Sequence, residues 1–360
     1  MKLSQIAGNV LVLGFEGTAL DPRIRGWLSE DALGGLILFS RNIENNRQLR
    51  SLLEGALRES TSKWLPVLSV DQEGGRVARV KSDVLPLPPM HWLGLANDPE
   101  LTYSAARLLG RGLRDLGFNL DFAPVLDVNS NPNNPVIGDR AFGDDPQTVI
   151  VHARQFTRGL IDAGIAACGK HFPGHGDTEK DSHLELPFVR HEIERLRAIE
   201  FAPFAALASE LPSIMTAHVV FDAIDPDRPA TMSHRAIEIL RRDLRFEGVI
   251  FSDDLLMNAV NDRWGAVEAG LEAIIAGCDA LLVCREVEKA EMLHEALIKE
   301  AESSSAFRNL LNAAVGRMQT LRKSLQPPAP YVPDELEARN HQAIDRRLNE
   351  IARRYEEEFE

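Results

Sequence analysis

The sequence is poor in cysteine, in basic charge and in long apolar runs, and each shortage excludes a class of protein. Only 3 of the 360 residues are cysteines. They are too few and too irregularly spaced for a disulfide framework or a zinc motif. Lys and Arg number 40 against 54 Asp and Glu, and the formal net charge of -14 argues against general binding to nucleic acids or anionic membranes. No apolar run approaches the roughly 18 residues of a membrane span.

The amino terminus also lacks the pattern of a secretory signal. Its first ten residues carry one lysine and no apolar stretch followed by a small-residue cleavage site. Together with the sparse cysteines, this favours a cytoplasmic protein in a reducing compartment. The remaining composition, 44% hydrophobic and 26% charged, is typical of a globular chain with ample material for a large core.

The sequence does contain eight short apolar runs, rich in β-branched residues and separated by segments of helical period. The runs are Asn9–Phe15, Gly35–Phe39, Leu65–Val70, Asn119–Asp127, Ile165–Lys170, Ser213–His218, Gly248–Ser252 and Asp279–Cys284. Three clear helical segments lie between them, at Arg47–Leu57, Ile193–Leu207 and Ala266–Ala276. Strand–helix alternation eight times over predicts an α/β fold, a parallel sheet closed into a (β/α)8 barrel of the TIM type. An open doubly wound sheet is the alternative, but no GxGxxG follows the first run.

A proline-rich stretch separates the predicted barrel from a charged tail. We predict one barrel domain over residues 1–325 and a C-terminal segment over 326–360, which begins with an extended linker. Four apolar residues of the tail fall on one helical face: Ile344, Leu348, Ile351 and Tyr355. We expect this amphipathic helix to pack on the outside of the barrel, with an oligomer contact or a solvated tail as the alternatives.

Two carboxylates, Asp253 and Asp254, follow the seventh run. Burying a carboxylate is unfavourable unless it is paired, so an acid at the end of a core strand needs a reason. At the carboxyl end of a barrel strand such an acid is a candidate nucleophile, base or metal ligand, and we assign Asp253 a chemical role. Asp254 directly precedes an apolar stretch and is expected to cap a helix.

Three of the 10 histidines fall within the string KHFPGHGDTEKDSH, at 170–183. His171 and His175 have the spacing of a helical zinc pair, but the proline and glycine between them break the helix on which such ligation depends. A metal site is therefore the weaker alternative. Asp181 lies two residues before His183, where a carboxylate can orient the imidazole for proton transfer.

Two further strings combine acids with arginines. VDQEGGRVAR (70–79) contains Asp71 and Arg79, and GDRAFGDDP (138–146) contains Arg140. Carboxylates and guanidinium groups bind sugar hydroxyls or a carboxylate directionally, so these strings are candidate binding segments. A structural network of ion pairs is the alternative. Asp144 or Asp145 is expected to begin the helix that follows.

Together these strings resemble glycoside hydrolase family 3, and more narrowly its bacterial β-N-acetylglucosaminidases of peptidoglycan recycling. The matching strings are GGLILFSRN (34–42), VDQEGGRVAR (70–79), FAPVLDVN (122–129), NPVIGDRAFGDDP (134–146), KHFPGHGDTEKDSH (170–183) and GVIFSDDLLM (248–257). They occur in the family's order and extend from about residue 9 to about residue 290.

The resemblance implies a retaining double displacement on a terminal β-linked N-acetylglucosamine. Asp253 would be the nucleophile, His183 the acid and then the base, and Asp181 the group that orients His183. Five residues would bind the sugar: Asp71, Arg79, Arg140, Lys170 and His171. The implied substrate is a muropeptide fragment in which N-acetylglucosamine is β-1,4-linked to 1,6-anhydro-N-acetylmuramic acid. No cofactor and no metal are expected.

One departure from the family and four rival functions remain open. Many family members carry a second α/β domain with a glutamate acid/base, and this chain leaves no length for it. The rivals are a phosphorylase with the same site, a glucosidase or xylosidase, a metal-dependent barrel hydrolase and a non-catalytic sugar sensor. We expect a small-molecule carbohydrate as partner, neither nucleic acid nor membrane, and a monomer or weak homo-oligomer.

Overall fold

Eight parallel strands close into a barrel in which each strand pairs with its neighbours in the sequence. The computed structural model describes residues 1–82, 84–179, 182 and 185–359, without the side chains of 336 and 356–359. The barrel strands are β1 (Leu11–Leu13), β2 (Gly35–Leu38), β3 (Val67–Val70), β4 (Leu120–Asp121), β5 (Ala166–Phe172), β6 (Ser213–Thr216), β7 (Val249–Asp254) and β8 (Ala280–Val283). The barrel closes where Val12 of β1 pairs with Leu282 of β8. The predicted TIM-type barrel is confirmed.

Helices cover the outside of the barrel. They are α1 (Leu3–Asn9), α2 (Pro22–Ser29), α3 (Asn46–Glu59), α4 (Met90–Ala96), α5 (Pro99–Leu116), α6 (Pro146–Ala163), α7 (Ile193–Ala198), α8 (Ala202–Leu207), α9 (His234–Glu238), α10 (Asn258–Asn261), α11 (Gly265–Ala276), α12 (Val287–Ser303), α13 (Ser305–Ser324) and α14 (Glu335–Phe359). In the described ranges, no helix combines the length and the apolarity that a bilayer span requires.

Several short elements lie between the helices and the barrel strands. Three 3-10 turns lie at Ser40–Asn42, Gly138–Arg140 and Ala230–Met232, and one π-helical turn lies at Ile239–Asp243. A hairpin pairs Gln72–Gly74 with Val77–Ala78, and a three-stranded sheet contains Phe188–Val189, Val220–Phe221 and Asp225–Pro229. The hairpin directly follows β3, so it continues the chain beyond the carboxyl end of the barrel.

The barrel interior is filled with side chains. Alternate residues of a strand point to opposite faces, so Val12 joins the interior cluster while Leu11 and Leu13 pack on the surrounding helices. Inside, the rings of Phe122 and Phe251 meet edge to face with centroids 5.3 Å apart. Because this core closes the barrel from within, a site can open only at an end of the strands.

The fourth strand is shorter than predicted. The apolar run suggests a strand over Asn119–Asp127, but the regular strand is Leu120–Asp121 alone. Pro124 has no N–H group to donate to a neighbour, and regular pairing ends before it. Beyond the regular strand the chain stays hydrogen-bonded to β5 through backbone carbonyl oxygens and one isolated bridge, between Val125 and Lys170. The residues that follow are released from the ladder and can build a wall at the carboxyl end of the barrel.

One predicted helix is divided in two, and the other two are confirmed as α3 and α11. The helical period of Ile193–Leu207 is interrupted between α7 and α8. Pro203 lies in the first turn of α8, where its missing N–H breaks no helical hydrogen bond. Asp145, one of the two adjacent candidates, caps α6 through its side chain, which accepts from the backbone of the first turn.

The C-terminal segment forms α14, which packs on α4 and α5 as the apolar face predicts. Its four apolar residues are buried or half-buried: Ile344, Leu348, Ile351 and Tyr355. The ring of Tyr355 lies 6.3 Å from that of Trp92 on α4, and Arg347 forms an ion pair with Asp98, the capping residue of α5. We propose that residues 1–325 form the barrel unit and residues 326–360 a peripheral unit that covers these two helices.

Candidate active site

A cavity of about 440 Å³ opens at the carboxyl ends of the barrel strands. Six of the eight residues that the sequence singles out line it: Asp71, Arg79, Arg140, Lys170, His171 and Asp253. They come from the chain that follows β3, from the ends of β5 and β7 and from the loop after β4, so the barrel brings together strings that are far apart in the sequence. Asp181 and His183 lie outside the described residues.

Lys170 lies deep in one wall of the cavity, between two carboxylates. Its Nζ is 2.7 Å from Oδ1 of Asp71 and 2.6 Å from Oε1 of Glu73. The guanidinium group of Arg140 in turn donates two hydrogen bonds to Glu73, each of 2.9 Å. The four side chains form one network, in which each charge has an opposite charge at contact distance.

The network keeps Glu73, Arg140 and Lys170 ionised at neutral pH. Burial alone would raise the pKa of Glu73, but the positive charges of Arg140 and Lys170 hold that pKa well below its usual range. Burial alone would likewise lower the pKa of Lys170, but the carboxylates of Asp71 and Glu73 raise it. The cavity wall therefore presents a fixed pattern of hydrogen-bond donors and acceptors to a ligand.

His171 is oriented by a buried carboxylate, Asp127. Nδ1 of His171 lies 2.7 Å from Oδ2 of Asp127, and the backbone N–H of His171 donates to Oδ1 at 3.1 Å. Burial would raise the pKa of Asp127, but the neighbouring His171 lowers it, so the carboxylate is ionised. A carboxylate next to Nδ1 favours the tautomer in which Nδ1 carries the proton. Nε2 is then an acceptor, 3.4 Å from the guanidinium group of Arg140, and His171 lines the cavity.

His175 is buried and neutral. Its Nδ1 lies 2.8 Å from the hydroxyl of Thr178, and its Nε2 lies 2.9 Å from the hydroxyl of Ser182. Burial and the nearby His171 lower the pKa of His175 to about 4. Both ring nitrogens are thus committed to hydroxyl groups. Within the part of the chain that the structure describes, no three His, Cys, Asp or Glu side chains are grouped to hold a metal ion.

The two carboxylates at the end of β7 have different surroundings. Both line the cavity, and Oδ1 of Asp253 accepts the backbone N–H of Asp254 at 2.8 Å. Oδ1 of Asp254 accepts the backbone N–H groups of Leu256 and Cys284, both at 3.1 Å, and so joins β7 to the residue after β8. The expectation that Asp254 caps a helix is wrong, because the next helix begins only at Asn258.

Arginines surround an aromatic ring at the outer part of the cavity. The guanidinium groups of Arg41 and Arg79 lie 4.3 and 5.6 Å from the ring centre of Phe39. Arg41 donates to the carbonyl oxygen of Phe15 at 3.1 Å, whereas the nearest carboxylate oxygen of Asp71 lies 3.9 Å from Arg79. Arg79 therefore holds the loosest ion pair of the predicted sugar-binding residues.

The sequence predictions missed two residues of this site, Glu73 and Asp127. Glu73 lies two residues after Asp71 in the string at 70–79, and its place in that string of acids and arginines could have identified it as a candidate. Asp127 ends the fourth apolar run, and an acid at the end of such a run is the same signal that identified Asp253. Neither signal identifies the partner of the acid, because Arg140, Lys170 and His171 come from other segments of the chain.

The chain is similar to known proteins with this barrel. A model of the glycosyl hydrolase family 3 N-terminal domain matches residues 3–321. A beta-hexosaminidase of Pseudomonas aeruginosa is 42% identical over 294 residues, which cover 80% of this chain and 86% of the relative.

Two solved structures extend this similarity to the fold. A glycoside hydrolase family 3 β-N-acetylglucosaminidase from Paenibacillus sp. str. FPU-7 aligns with a TM-score of 0.91 and 38% identity, over 98% of this chain and 69% of that chain. NagZ from Neisseria gonorrhoeae, in complex with N-trifluoroacetyl-D-glucosamine, aligns with a TM-score of 0.79 and 31% identity, over 96% and 98% of the two chains.

Asp254 gives the protein a testable dependence of stability on pH. Burial, with the charge of Asp253 acting in the same direction, raises the pKa of Asp254 to about 6. An aspartate in an unfolded chain has a pKa of about 3.9. Between these values the folded protein binds the extra proton, so stability from this group is lost as the pH rises through that window.

Asp254→Asn removes this titration and keeps an oxygen for the two backbone N–H groups. We expect the unfolding free energy of the variant, relative to wild type, to rise by about 2 kcal/mol between pH 4.5 and pH 7 in urea titrations. Asp262→Asn, at an exposed aspartate, is the control and should show no such slope. A difference between the Asp254→Asn variant and wild type that is independent of pH would contradict the prediction.

Proposed function

The chain belongs to glycosyl hydrolase family 3, and we propose that it is a retaining exo-β-N-acetylglucosaminidase acting on muropeptides. It would remove the terminal β-1,4-linked N-acetylglucosamine from fragments that end in 1,6-anhydro-N-acetylmuramic acid. The observation that carries the proposal is one cavity that holds both Asp253 and the ionised network around Lys170. The Neisseria NagZ complex with an N-acylated glucosamine supports the choice of sugar.

Asp253 is the proposed nucleophile. In the first step one oxygen of its carboxylate bonds to the anomeric carbon of the sugar while the bond from that carbon to the leaving oxygen breaks. In the second step water attacks the same carbon, and the carboxylate leaves with the configuration of the sugar retained. The hydrogen bond from the N–H of Asp254 to Oδ1 supports this role, because it fixes the orientation of the carboxylate.

His183 is the proposed acid and base, a role that rests on the resemblance of the string at 170–183. In the first step its imidazolium gives a proton to the leaving oxygen, and in the second its neutral form takes one from the attacking water. An imidazole near its ordinary pKa of about 6.5 can do both at neutral pH. Asp181 would orient it. Ser182, between the two in the sequence, lines the cavity.

The ionised wall is proposed to bind the sugar hydroxyls. An ammonium group has three N–H donors. Two of those of Lys170 point to Asp71 and Glu73, which leaves the third for a hydroxyl. Asp71, His171, Arg79 and Arg140 would contribute further directional contacts. Because the network is complete before a ligand binds, little reorganisation accompanies binding.

A kinetic panel on the wild-type protein tests the substrate and the acceptor. We expect kcat/KM for 4-nitrophenyl N-acetyl-β-glucosaminide to exceed that for the matching β-glucoside by at least about a hundredfold. The glucoside lacks the 2-acetamido group, and a site that binds this group rejects a substrate without it. Free N-acetylglucosamine should be the product with and without phosphate, and EDTA should not reduce the rate. A sugar 1-phosphate would instead identify a phosphorylase, and a faster glucoside would contradict the proposed specificity.

Asp253→Asn tests the nucleophile. An amide cannot displace the leaving group, so we expect less than about 1% of wild-type turnover, with the melting temperature and its increase on adding N-acetylglucosamine largely kept. Asp262→Asn, at an exposed aspartate outside the cavity, should retain full activity. Activity of the Asp253 variant above about 1% would place the nucleophile elsewhere.

His183→Ala tests the acid. Loss of proton donation should slow substrates with poor leaving groups, such as alkyl glycosides or the natural disaccharide, by at least about a hundredfold more than an activated dinitrophenyl glycoside. His341→Ala, on α14, serves as the control and should affect neither. Equal losses on both kinds of substrate would count against an acid role for His183.

A further inference from the structure

His218 is a buried histidine beside the cavity that the proposed mechanism does not use. It lies two residues after β6 and has no exposed surface. Its Nε2 lies 3.0 Å from the carbonyl oxygen of Asp254, and its Nδ1 lies 2.9 Å from the hydroxyl of Thr231. It is absent from the cavity lining, so a direct contact with substrate does not explain it.

The regular sheet is interrupted where Asp253 lies. The ladder between β6 and β7 ends with the pair of Phe251 and Met215. On the other side, the register of β7 against β8 shifts between Phe251 and Asp254. The backbone around Asp253 thus has less support from strand pairing than the rest of β7, and side chains must fix its position.

A chain of buried side chains, from the end of β6 and from the 3-10 turn at Ala230–Met232, holds β7 on both sides of Asp253. Oγ1 of Thr216 donates to the carbonyl oxygen of Phe251 at 3.2 Å and lies 2.8 Å from the hydroxyl of Thr231. From Thr231 the chain continues through His218 to the carbonyl oxygen of Asp254. Two contacts with the β7 backbone therefore bracket the proposed nucleophile.

The chemistry of the contacts defines the direction of the hydrogen bond. A carbonyl oxygen only accepts, so Nε2 of His218 carries the proton that it donates to Asp254. The backbone N–H of that same residue donates to Oδ1 of Asp253 at 2.8 Å. Asp254 is held by His218 at its carbonyl and holds the nucleophile with its amide.

We propose that His218 is a positioning residue that fixes the carboxylate of Asp253 for attack on the anomeric carbon. The inference rests on the proposed function, because it concerns the nucleophile of that reaction. Its effect should lie in the step that forms the bond between the carboxylate and the sugar, and not in sugar binding or proton donation.

The test is the rate of covalent labelling by 5-fluoro-N-acetylglucosaminyl fluoride, followed by intact mass spectrometry on folded protein. Fluoride leaves without help from an acid, so labelling reports on nucleophilic attack and not on His183. We expect His218→Asn, whose amide is too short to reach the carbonyl, to slow labelling about ten- to a hundredfold at saturating reagent, because small misplacements of reacting groups have effects of this size. The concentration for half-maximal labelling should stay within about threefold.

Three further variants separate positioning from stability. His218→Gln can still donate to the carbonyl of Asp254 and should label within about threefold of wild type. Thr231→Val keeps the shape but removes the partner of Nδ1, and should label several-fold more slowly. His152→Leu is the control for stability, because it also removes a buried hydrogen bond between a histidine and a threonine, the 2.8 Å contact between His152 on α6 and Thr102 on α5. It should lose stability and keep the wild-type labelling rate.

The failure of this inference is distinct from the failure of the proposed function. If wild type is labelled at Asp253 and folded His218→Asn is labelled at the same rate, His218 does not position the nucleophile. Should His218→Asn not fold, a wild-type rate in Thr231→Val overturns the inference in the same way. If wild type is not labelled, or is labelled at another residue, the proposed function itself is wrong.

Discussion

The rest of the site depends on the burial of Lys170 between Asp71 and Glu73. These three charges come from β5 and from the chain after β3, and Arg140 adds the loop after β4. Removing one member of a buried ionic group leaves the others uncompensated, which costs about 3–5 kcal/mol. The network therefore fixes the positions of these three segments relative to one another. The side chains that do so are the same ones that line the cavity.

Where the ladder of the barrel ends, side chains take over the placement of the backbone. At β4 the pairing ends before Pro124, and Asp127 then fixes His171 through its backbone and its ring. At β7 the register shifts near Asp253, and His218 and the side chain of Asp254 hold the strand to its two neighbours. In both places the residues that bear the chemistry lie in irregular backbone that buried polar groups support.

The sequence was sufficient for the barrel and for part of the site. Apolar periodicity defines eight strands, and an acid after a buried strand stands out, as Asp253 does, because an unpaired carboxylate is unfavourable there. Periodicity cannot show where a ladder ends, so β4 was predicted too long. Nor does it give partners across strands, so it could not show that Asp127 orients His171 or that His218 reaches the backbone of β7. Asp254 was misassigned because its carboxylate accepts a hydrogen bond from the chain after β8, and a local sequence pattern does not reveal such a contact.

The charge of the whole chain and the charge of the cavity are separate matters. A protein with a net charge of -14 can still contain a locally cationic pocket, and the three predicted binding cations are consistent with one. The structure instead pairs two of its three predicted cations closely, Lys170 and Arg140, and leaves Arg79 at 3.9 Å from its nearest carboxylate. A wall of balanced pairs exerts little net attraction, but it offers donors and acceptors in fixed directions. That property suits a neutral sugar ring, whose hydroxyls both donate and accept. Any attraction for an anionic aglycone would come most readily from Arg41 and Arg79, whose nearest carboxylate oxygens lie 3.4 and 3.9 Å away.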